Sequence, residues 1–174
     1  DELETIRDLS TRQFLKHLGI PFWRLPGIVR QMRSMMSDEA ASVPLFPGID
    51  SLLGQLSQSG CQLALVSSNS RKNIERVLGP DLWKLFRWRQ CEASMFGKKS
   101  KLKKVLQQSQ VLVEQAIYIG DELRDQEAAQ ATGVAFGGVC WGHTRREQFS
   151  DHQPDYLFET VSQIGDLLTA ETEG

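Results

Sequence analysis

Three acidic residues follow a short apolar run, in an arrangement that suits a metal ion. Residues 116–119 have the β-branched and aromatic bias of a buried strand, and Asp121, Glu122 and Asp125 come shortly after it. Acids at a helix start are often simple caps, because the helix dipole favours carboxylates there. Asp121 and Asp125 are four residues apart, however, so both can face one point from a first helical turn. Carboxylates in that arrangement suit Mg²⁺, which takes one or two of them and keeps several waters; Glu122 is the weaker candidate ligand.

Two other predicted strands are followed by residues that suit a phosphate group. Ser67, Ser68 and Asn69 lead from a strand into a helix, so their hydroxyls and backbone N–H groups can form an anion cradle. Capping of that helix is the simpler alternative. Lys98 follows a turn after the next strand and can supply a fixed positive charge. Because basic residues at a helix start oppose the helix dipole, helix stability does not explain Lys98; a solvated basic cluster is the alternative.

These residues need an alternating α/β framework to bring them together. After the prolines and glycine near residue 47, helical patterns alternate with strand patterns. The predicted helices cover residues 49–59, 71–78, 100–109, 123–131 and a last segment ending at 168, and the predicted strands cover residues 62–66, 86–91, 116–119, 134–140 and 156–158. This alternation predicts a doubly wound parallel sheet, at whose carboxyl edge ligands gather. The chain before residue 44 shows helical patterns only.

Composition and charge argue against several functional classes. The 174 residues are 40% hydrophobic and carry a net charge of −2, which gives no basic surface for nucleic acid or an anionic membrane. No apolar stretch has the length of a membrane span. The three cysteines lack metal-ligand spacing, and no secretory leader opens the sequence, so a cytoplasmic setting is expected. The sequence does not define an oligomeric state.

The order of these signals resembles that of the haloacid dehalogenase-like superfamily of phosphohydrolases, in particular its phosphoglycolate phosphatase-like branch. The stretch "LALVSSN" is similar to the family's second motif, "FGKKSKL" to the third and "GDELRD" to the fourth. By this resemblance Ser67 would hydrogen-bond the transferring phosphoryl group. Lys98 would neutralise the charges of phosphate and nucleophile, and Asp121 and Asp125 would hold Mg²⁺.

The resemblance also assigns the parts of the chain. Residues 44–174 would form a Rossmann-like hydrolase core, and residues 1–43 would form part of a small helical cap. The stretch "VCWGH" is similar to part of the family's closing segment. This places Trp141, His143 and Arg145 near the site, where substrate contact and plain packing or solvent exposure are both open.

One part of the family pattern is absent from the sequence. The family's reaction begins with an Asp nucleophile in an Asp-x-Asp motif, and none of the acidic residues among the first 40 follows an apolar run. In the family, the strand that carries this motif lies between the strands that end here at Val66 and Ile119. Its absence would leave two inner sheet edges with unpaired backbone groups. The nucleophile is therefore expected upstream of residue 1, together with some of the cap.

The sequence thus predicts a Mg²⁺-dependent phosphomonoester hydrolase that acts on a small phosphorylated metabolite through an aspartyl-phosphate. The predicted phosphate ligands are Ser67, Ser68, Asn69 and Lys98. A non-catalytic protein that binds a phospho-ligand or a partner on the same fold is the alternative, since fold does not fix function. An unrelated doubly wound signalling or nucleotide-binding domain is less favoured, because no strand leads into a G-x-G-x-x-G turn.

Overall fold

The computed structural model describes residues 44–92 and 97–170, together with residues 19, 21, 24, 27 and 28. The chain divides into two units, residues 1–40 and 41–174. The helical patterns predicted before residue 40 lie almost entirely outside the described residues. The assignment of residues 1–43 as a cap therefore stays a prediction.

Helices and strands alternate along the second unit. The strands are β1 (Leu63–Val66), β2 (Phe86–Gln90), β3 (Ile117–Gly120), β4 (Ala135–Val139) and β5 (Tyr156–Phe158). The helices are α1 (Ile49–Gln58), α2 (Arg71–Leu85), α3 (Lys98–Ser109), α4 (Leu123–Gln130), α5 (Arg146–His152) and α6 (Val161–Ala170), and a 3₁₀ turn (Val113–Gln115) precedes β3. No helix in the described part of the chain is both long enough and apolar enough to cross a membrane.

The predicted elements are present, with differences at a few boundaries. Helix α3 begins at Lys98, two residues earlier than predicted, so Lys98 belongs to the first turn of the helix. Helix α2 continues past the predicted end, but Gly79 with φ of 69° interrupts it there. Helix α5 was not predicted from the sequence.

The five strands form two parallel sheets. Strand β1 pairs with β2, and the second sheet has the order β3–β4–β5. All three pairings are parallel, as helical crossover connections require. The predicted Rossmann-like α/β class is confirmed, although the described residues form two sheets and not one. Among these residues, β1 and β3 each have a strand partner on one side only.

Helices cover both faces of the β3–β4–β5 sheet. On one face, α1 and α6 pack through a cluster of five buried apolar side chains: Leu52, Leu56, Val139, Phe158 and Ile164. On the other face, α4 and α5 pack through a second cluster: Ala129, Phe136 and Phe149. Successive side chains of a strand point to opposite faces, which is why Phe136 and Val139, three residues apart in β4, belong to different clusters. This layering holds β3 rigidly, so that the residues after it are well positioned.

Gly137 and Gly138, side by side in β4, let an aromatic ring pack closely on each face of the strand. A Cβ atom at Gly137 would lie 2.6 Å from Cε2 of Phe158, and one at Gly138 would lie 3.2 Å from Cγ of Phe149. The first distance is shorter than real Cβ contacts, so a side chain at Gly137 would displace the ring. The two glycines thus set how near the helical layers and β5 come to the centre of the sheet.

Candidate active site

The carboxyl ends of β1 and β3 and the start of α3 border one pocket of about 220 Å³. Its lining residues are Val66, Ser67, Ser68, Lys98, Tyr118, Ile119, Gly120, Asp121, Glu122, Arg124 and Asp125. The structure therefore brings together nearly all of the site residues that the sequence indicates. The exception is Asn69, which is not part of the lining.

Ser67 is held at the end of β1 by backbone hydrogen bonds. Its N–H donates to the carbonyl oxygen of Gln90 in β2 at 3.0 Å. Its Oγ accepts a hydrogen bond from the N–H of Asn69 at 3.1 Å. A serine hydroxyl can also donate, so Ser67 keeps its own hydrogen for a ligand in the pocket.

Asn69 and Ser70 instead stabilise the start of α2. The Oγ of Ser70 accepts the N–H of Asn73 at 3.2 Å, which makes Ser70 the N-cap of the helix. The Oδ1 of Asn69 accepts the N–H of Ser70 at 2.8 Å and the side-chain amide of Asn73 at 3.1 Å. The capping explanation therefore applies to these two residues, while a phosphate contact by Asn69, which does not line the pocket, stays a prediction.

Lys98 differs from its neighbouring lysines in burial and in partners. It is 7% exposed, whereas Lys99 and Lys104 are exposed. Its Nζ donates to Oε2 of Glu122 at 2.7 Å and to Oδ1 of Asp125 at 2.5 Å. Paired carboxylates make a buried charge tolerable, and two bonds leave one of the three ammonium hydrogens for a ligand. A solvated cluster describes the exposed lysines but not Lys98.

Glu122 bridges two cations. Its Oε2 accepts from Lys98 and from Nε of Arg124, and its Oε1 accepts from Nη2 of Arg124 at 2.6 Å. Burial works against the charge of Glu122, but the hydrogen bonds and positive charges of Arg124 and Lys98 outweigh it. They hold the pKa of Glu122 at about 2, below its ordinary value of 4.5. Both oxygens thus accept hydrogen bonds from cations, which makes Glu122 a partner of Lys98 and Arg124.

Asp125 is a buried carboxylate with two side-chain donors on one oxygen. Its Oδ1 accepts from Lys98 and from the hydroxyl of Tyr118, the latter at 2.7 Å. Burial raises the pKa of Asp125 above its ordinary value, although Lys98 and Tyr118 act in the opposite direction. Burial and the negative charge of Asp125 also raise the pKa of Tyr118, so the phenol remains a donor.

Asp121 is held by the loop after β4. Its Oδ2 accepts the N–H of His143 at 2.9 Å, and its carbonyl oxygen accepts the N–H of Thr144 at 2.9 Å. The imidazole of His143 is exposed, and Trp141 packs against the apolar cluster between α1 and α6. The N–H of Arg145 bonds to the side chain of Gln148 at 3.3 Å, at the start of α5. In this structure the loop therefore contributes backbone contacts to Asp121.

Tyr118 and Arg124 line the pocket but were not among the residues predicted from the sequence. Alternation along β3 could have shown that Tyr118 faces away from Ile117 and Ile119. No feature of the sequence around Tyr118 indicates that its hydroxyl reaches the carboxylate of Asp125, seven residues later. Arg124 bonds to a residue two positions before it, a spacing at which residues of one helix do not face each other. The bond forms because Glu122 precedes the helix.

Across the described residues, no group of three or more His, Cys, Asp or Glu side chains is arranged to hold a metal ion. The pocket offers two carboxylates, Asp121 and Asp125, as candidate ligands. Their hydrogen bonds to described residues use only Oδ2 of Asp121 and Oδ1 of Asp125. Two carboxylates with further coordination by water or phosphate are a usual donor set for Mg²⁺, so these residues fit that ion.

Comparisons with known proteins agree with this architecture. Residues 1–139 match the family described as haloacid dehalogenase-like hydrolase. The chain is 32% identical over 169 residues to a phosphoglycolate phosphatase from Synechococcus elongatus, and the matched region covers 97% of this chain and 78% of that protein. It is 25% identical over 124 residues to a phosphoglycolate phosphatase from Pseudomonas savastanoi pv. phaseolicola, and the matched region covers 69% of this chain and 46% of that protein. The chain thus spans about half the length of the Pseudomonas relative.

A solved structure shows the same fold. A haloacid dehalogenase-like family hydrolase from Streptococcus pneumoniae superposes with a TM-score of 0.73 at 22% identity, covering 88% of this chain and 86% of that one. Fold and relatives together define a phosphoric monoester hydrolase with a Rossmann-like α/β fold. The chain belongs to the haloacid dehalogenase-like hydrolase family. The predicted family and enzyme class are confirmed, while the roles of single residues in the pocket stay predictions.

Proposed function

We propose that the protein is a Mg²⁺-dependent phosphomonoester hydrolase that acts on a small phosphorylated metabolite. The observation that carries the proposal is the convergence of Ser67, Lys98 and Asp121 on one small polar pocket. The phosphoglycolate phosphatases among its relatives favour phosphoglycolate, or a similarly small phosphomonoester, as the substrate.

Ser67 and Lys98 would bind the phosphoryl group. The Lys98 ammonium is fixed by two carboxylates before any substrate arrives, so little reorganisation is needed when charge develops on the phosphoryl oxygens. The Ser67 hydroxyl lies across the pocket at the end of β1 and would donate to a second oxygen. Phosphoryl transfer depends mainly on such positioning and charge neutralisation.

Asp121 and Asp125 would hold Mg²⁺ through the oxygens that their described hydrogen bonds leave available. When bound, the ion would neutralise part of the phosphoryl charge. Lys98 and Tyr118 keep Asp125 in place, and the loop after β4 keeps Asp121 in place. Glu122 would take no part in metal binding, because its two oxygens hold Lys98 and Arg124.

The attacking carboxylate would come from a strand between β1 and β3, upstream of residue 1. In this proposal Asp121 and Asp125 hold the metal ion and Glu122 holds Lys98 and Arg124, so the attacking group is a further carboxylate. A strand that pairs with the open sides of β1 and β3 would bring its own carboxyl end to the pocket. An Asp there would attack phosphorus as the P–O bond to the substrate's alcohol breaks, and the alcohol would leave with a proton; water would then hydrolyse the aspartyl-phosphate to inorganic phosphate and the free Asp.

The test is phosphate release from phosphoglycolate and from a generic aryl phosphate by the full-length protein. We expect turnover with Mg²⁺ and none after chelation, and loss of turnover when the Asp of an upstream Asp-x-Asp motif is changed to Asn. Undiminished turnover after chelation would contradict the metal role. Phosphate binding without any turnover would favour the alternative, a phospho-ligand-binding protein on the same fold.

A further inference from the structure

The loop between β4 and α5 contacts Asp121 at three points. The N–H groups of His143 and Thr144 donate to the side chain and the carbonyl oxygen of Asp121, both at 2.9 Å. The third point is a close approach of Gly142. A Cβ atom there would lie 2.2 Å from Cβ and 2.6 Å from Oδ2 of Asp121. We call residues 141–144 the clamp loop.

Lack of space, and not an unusual backbone conformation, requires glycine at position 142. Gly142 is not among the described glycines with positive φ, so an L-residue could adopt its backbone conformation. A distance of 2.2 Å is far below any real Cβ contact, so a methyl group there would push Asp121 away. The clamp loop therefore determines where the Asp121 side chain lies.

The clamp loop is itself anchored at both ends. Trp141 packs against the apolar cluster formed by α1, α6 and the sheet. Thr144 is 4% exposed, and two residues later α5 begins, whose Phe149 is fully buried. A loop fixed in this way can hold a side chain in one orientation without ordering on ligand binding.

Asp121 depends on this loop more than Asp125 depends on any single contact. Asp125 also lies against a glycine, since a Cβ at Gly120 would be 2.7 Å from its Cβ, but Lys98 and Tyr118 bind it as well. For Asp121, the side-chain hydrogen bond from a described residue is the one from His143. The two candidate metal ligands are thus supported by different parts of the fold.

We propose that the clamp loop positions Asp121 for cation binding, with Gly142 and the N–H of His143 as the positioning groups. The loop holds Oδ2 of Asp121 on the protein side and leaves Oδ1 for the cation. This inference rests on the proposed Mg²⁺-dependent function. It gives the loop a backbone role, whereas the sequence left open whether the loop's side chains contact the substrate, pack or face solvent.

The first experiment measures Mg²⁺ affinity in glycine variants of the full-length protein. Gly142→Ala should raise the Mg²⁺ concentration for half-maximal activity, and the dissociation constant for Mg²⁺ from calorimetry without substrate, by about tenfold or more, the usual result of losing a group that orients a ligand. Gly54→Ala is the matched control. Gly54 lies in α1 with no neighbour within 4 Å of an added Cβ, so its Mg²⁺ affinity should equal that of the wild type.

A second pair of variants separates the backbone N–H of residue 143 from its side chain. His143→Pro removes the N–H that bonds to Asp121, whereas His143→Ala keeps it. We expect His143→Pro to weaken Mg²⁺ binding at least about fivefold more than His143→Ala does. Circular dichroism establishes that each variant is folded. Folded Gly142→Ala and His143→Pro proteins that both bind Mg²⁺ within about twofold of the wild type would overturn the proposal.

Hydrogen exchange tests the clamp without reference to activity. The amides of His143 and Thr144 should be protected in the wild type. In Asp121→Ala, the His143 amide should lose protection, while Thr144 keeps it because its acceptor is a backbone carbonyl. If the amides of His143 and Thr144 exchange without protection in the wild type, the proposed clamp is wrong. This measurement needs only the wild-type protein, so it tests the proposal even if no loop variant folds. A wild type that needs no Mg²⁺ would instead overturn the proposed function.

Discussion

Two helix starts of this protein have polar residues in similar numbers but use them differently. After β1, Ser70 and Asn69 bond to groups between one and four residues away and thereby stabilise the start of α2. After β3, Glu122 occupies the N-cap position of α4 without making a side-chain cap bond. Its carboxylate, and that of Asp125, bind Lys98, which is 24 and 27 residues distant. The first start supports its own helix, and the second connects two helices across the pocket.

The difference teaches how to separate capping from site chemistry. Polar residues whose partners lie within one helical turn satisfy the local backbone, and their removal should affect stability alone. Polar residues whose partners lie on another element are ordered by the tertiary fold, and their removal should affect both stability and the site. Four changes, taken from the largest expected effect to the smallest, test this distinction.

Asp125→Ala should lower the free energy of unfolding by about 3–5 kcal/mol, because the buried Lys98 ammonium loses one of its two carboxylates. Denaturant titration measures the loss. The matched control is Asp81→Ala, which removes a 2.8 Å pair with Lys84 whose side chains are 87% and 69% exposed, and it should leave the free energy unchanged. If the two changes lower the free energy of unfolding equally, the buried pair of Asp125 with Lys98 contributes no more to stability than an exposed pair does.

Lys98→Ala should lower kcat by about a hundredfold or more, the scale of losing a preorganised electrostatic contact. Lys98→Arg should restore little, since a planar guanidinium does not fit the place of a compact ammonium. Lys103→Ala, on the exposed side of the same helix, should change kcat by less than about threefold. A series in which Lys99 or Lys101 has the dominant effect would contradict the assignment of Lys98.

Glu122→Gln should destabilise the protein in a pH-dependent way. The pKa of Glu122 is about 2 in the folded protein and near 4.5 when unfolded, so the folded state favours its charged form. The stability that this charge contributes is therefore present above pH 4.5 and lost as the pH falls toward 2. Unfolding experiments should find the largest difference between wild type and variant at neutral pH and a shrinking one below pH 4.5. A difference that stays constant over this range would contradict the bridging role.

Ser70→Ala should lower the free energy of unfolding by about 1 kcal/mol and leave the kinetics unchanged, because the residue caps α2 and does not line the pocket. Ser67→Ala should show the reverse. Its loss of turnover, expressed as a free energy, should exceed its loss in the free energy of unfolding. Parallel denaturation and kinetic measurements on both variants test this. A loss of turnover in Ser70→Ala at unchanged substrate saturation would weaken the contrast between the two helix starts.

The parts of the fold that depend on contiguous residues could be predicted from the sequence. Strands β1 and β3 are short apolar runs, and β2 alternates aromatic and basic residues, so each has a local pattern. Ser67 and Asp121 directly follow β1 and β3, and Lys98 follows β2 after a turn, so all three were found from their places in the chain. Parallel pairing then predicted that these ends share one edge. In the structure β1 and β3 belong to two sheets, and their carboxyl ends border one pocket as predicted.

The rest depends on contacts that no local pattern encodes. The hydrogen bond from Tyr118 to Asp125 joins β3 to α4, and the one from Arg124 to Glu122 depends on Glu122 lying just before the first turn of α4. Helix α5 has a single buried side chain, Phe149, and one apolar residue gives no helical period to detect. The clamp on Asp121 consists of backbone N–H groups and a missing Cβ, which side-chain types do not indicate.

The two adjacent glycines of β4 have a consequence for how this sequence can diverge. Gly137 lies against Phe158 on one face and Gly138 against Phe149 on the other, so a larger residue at 137 needs a smaller partner at 158, whereas one at 138 needs the Phe149 ring to shift by a few tenths of an ångström. Substitutions at 137 should therefore be accepted only together with a change at 158, and those at 138 should be accepted more readily when 149 also changes. The faces are separate, so the two pairs should vary independently of each other. Residues 137 and 138, although adjacent in one strand, would then be substituted independently of each other during evolution.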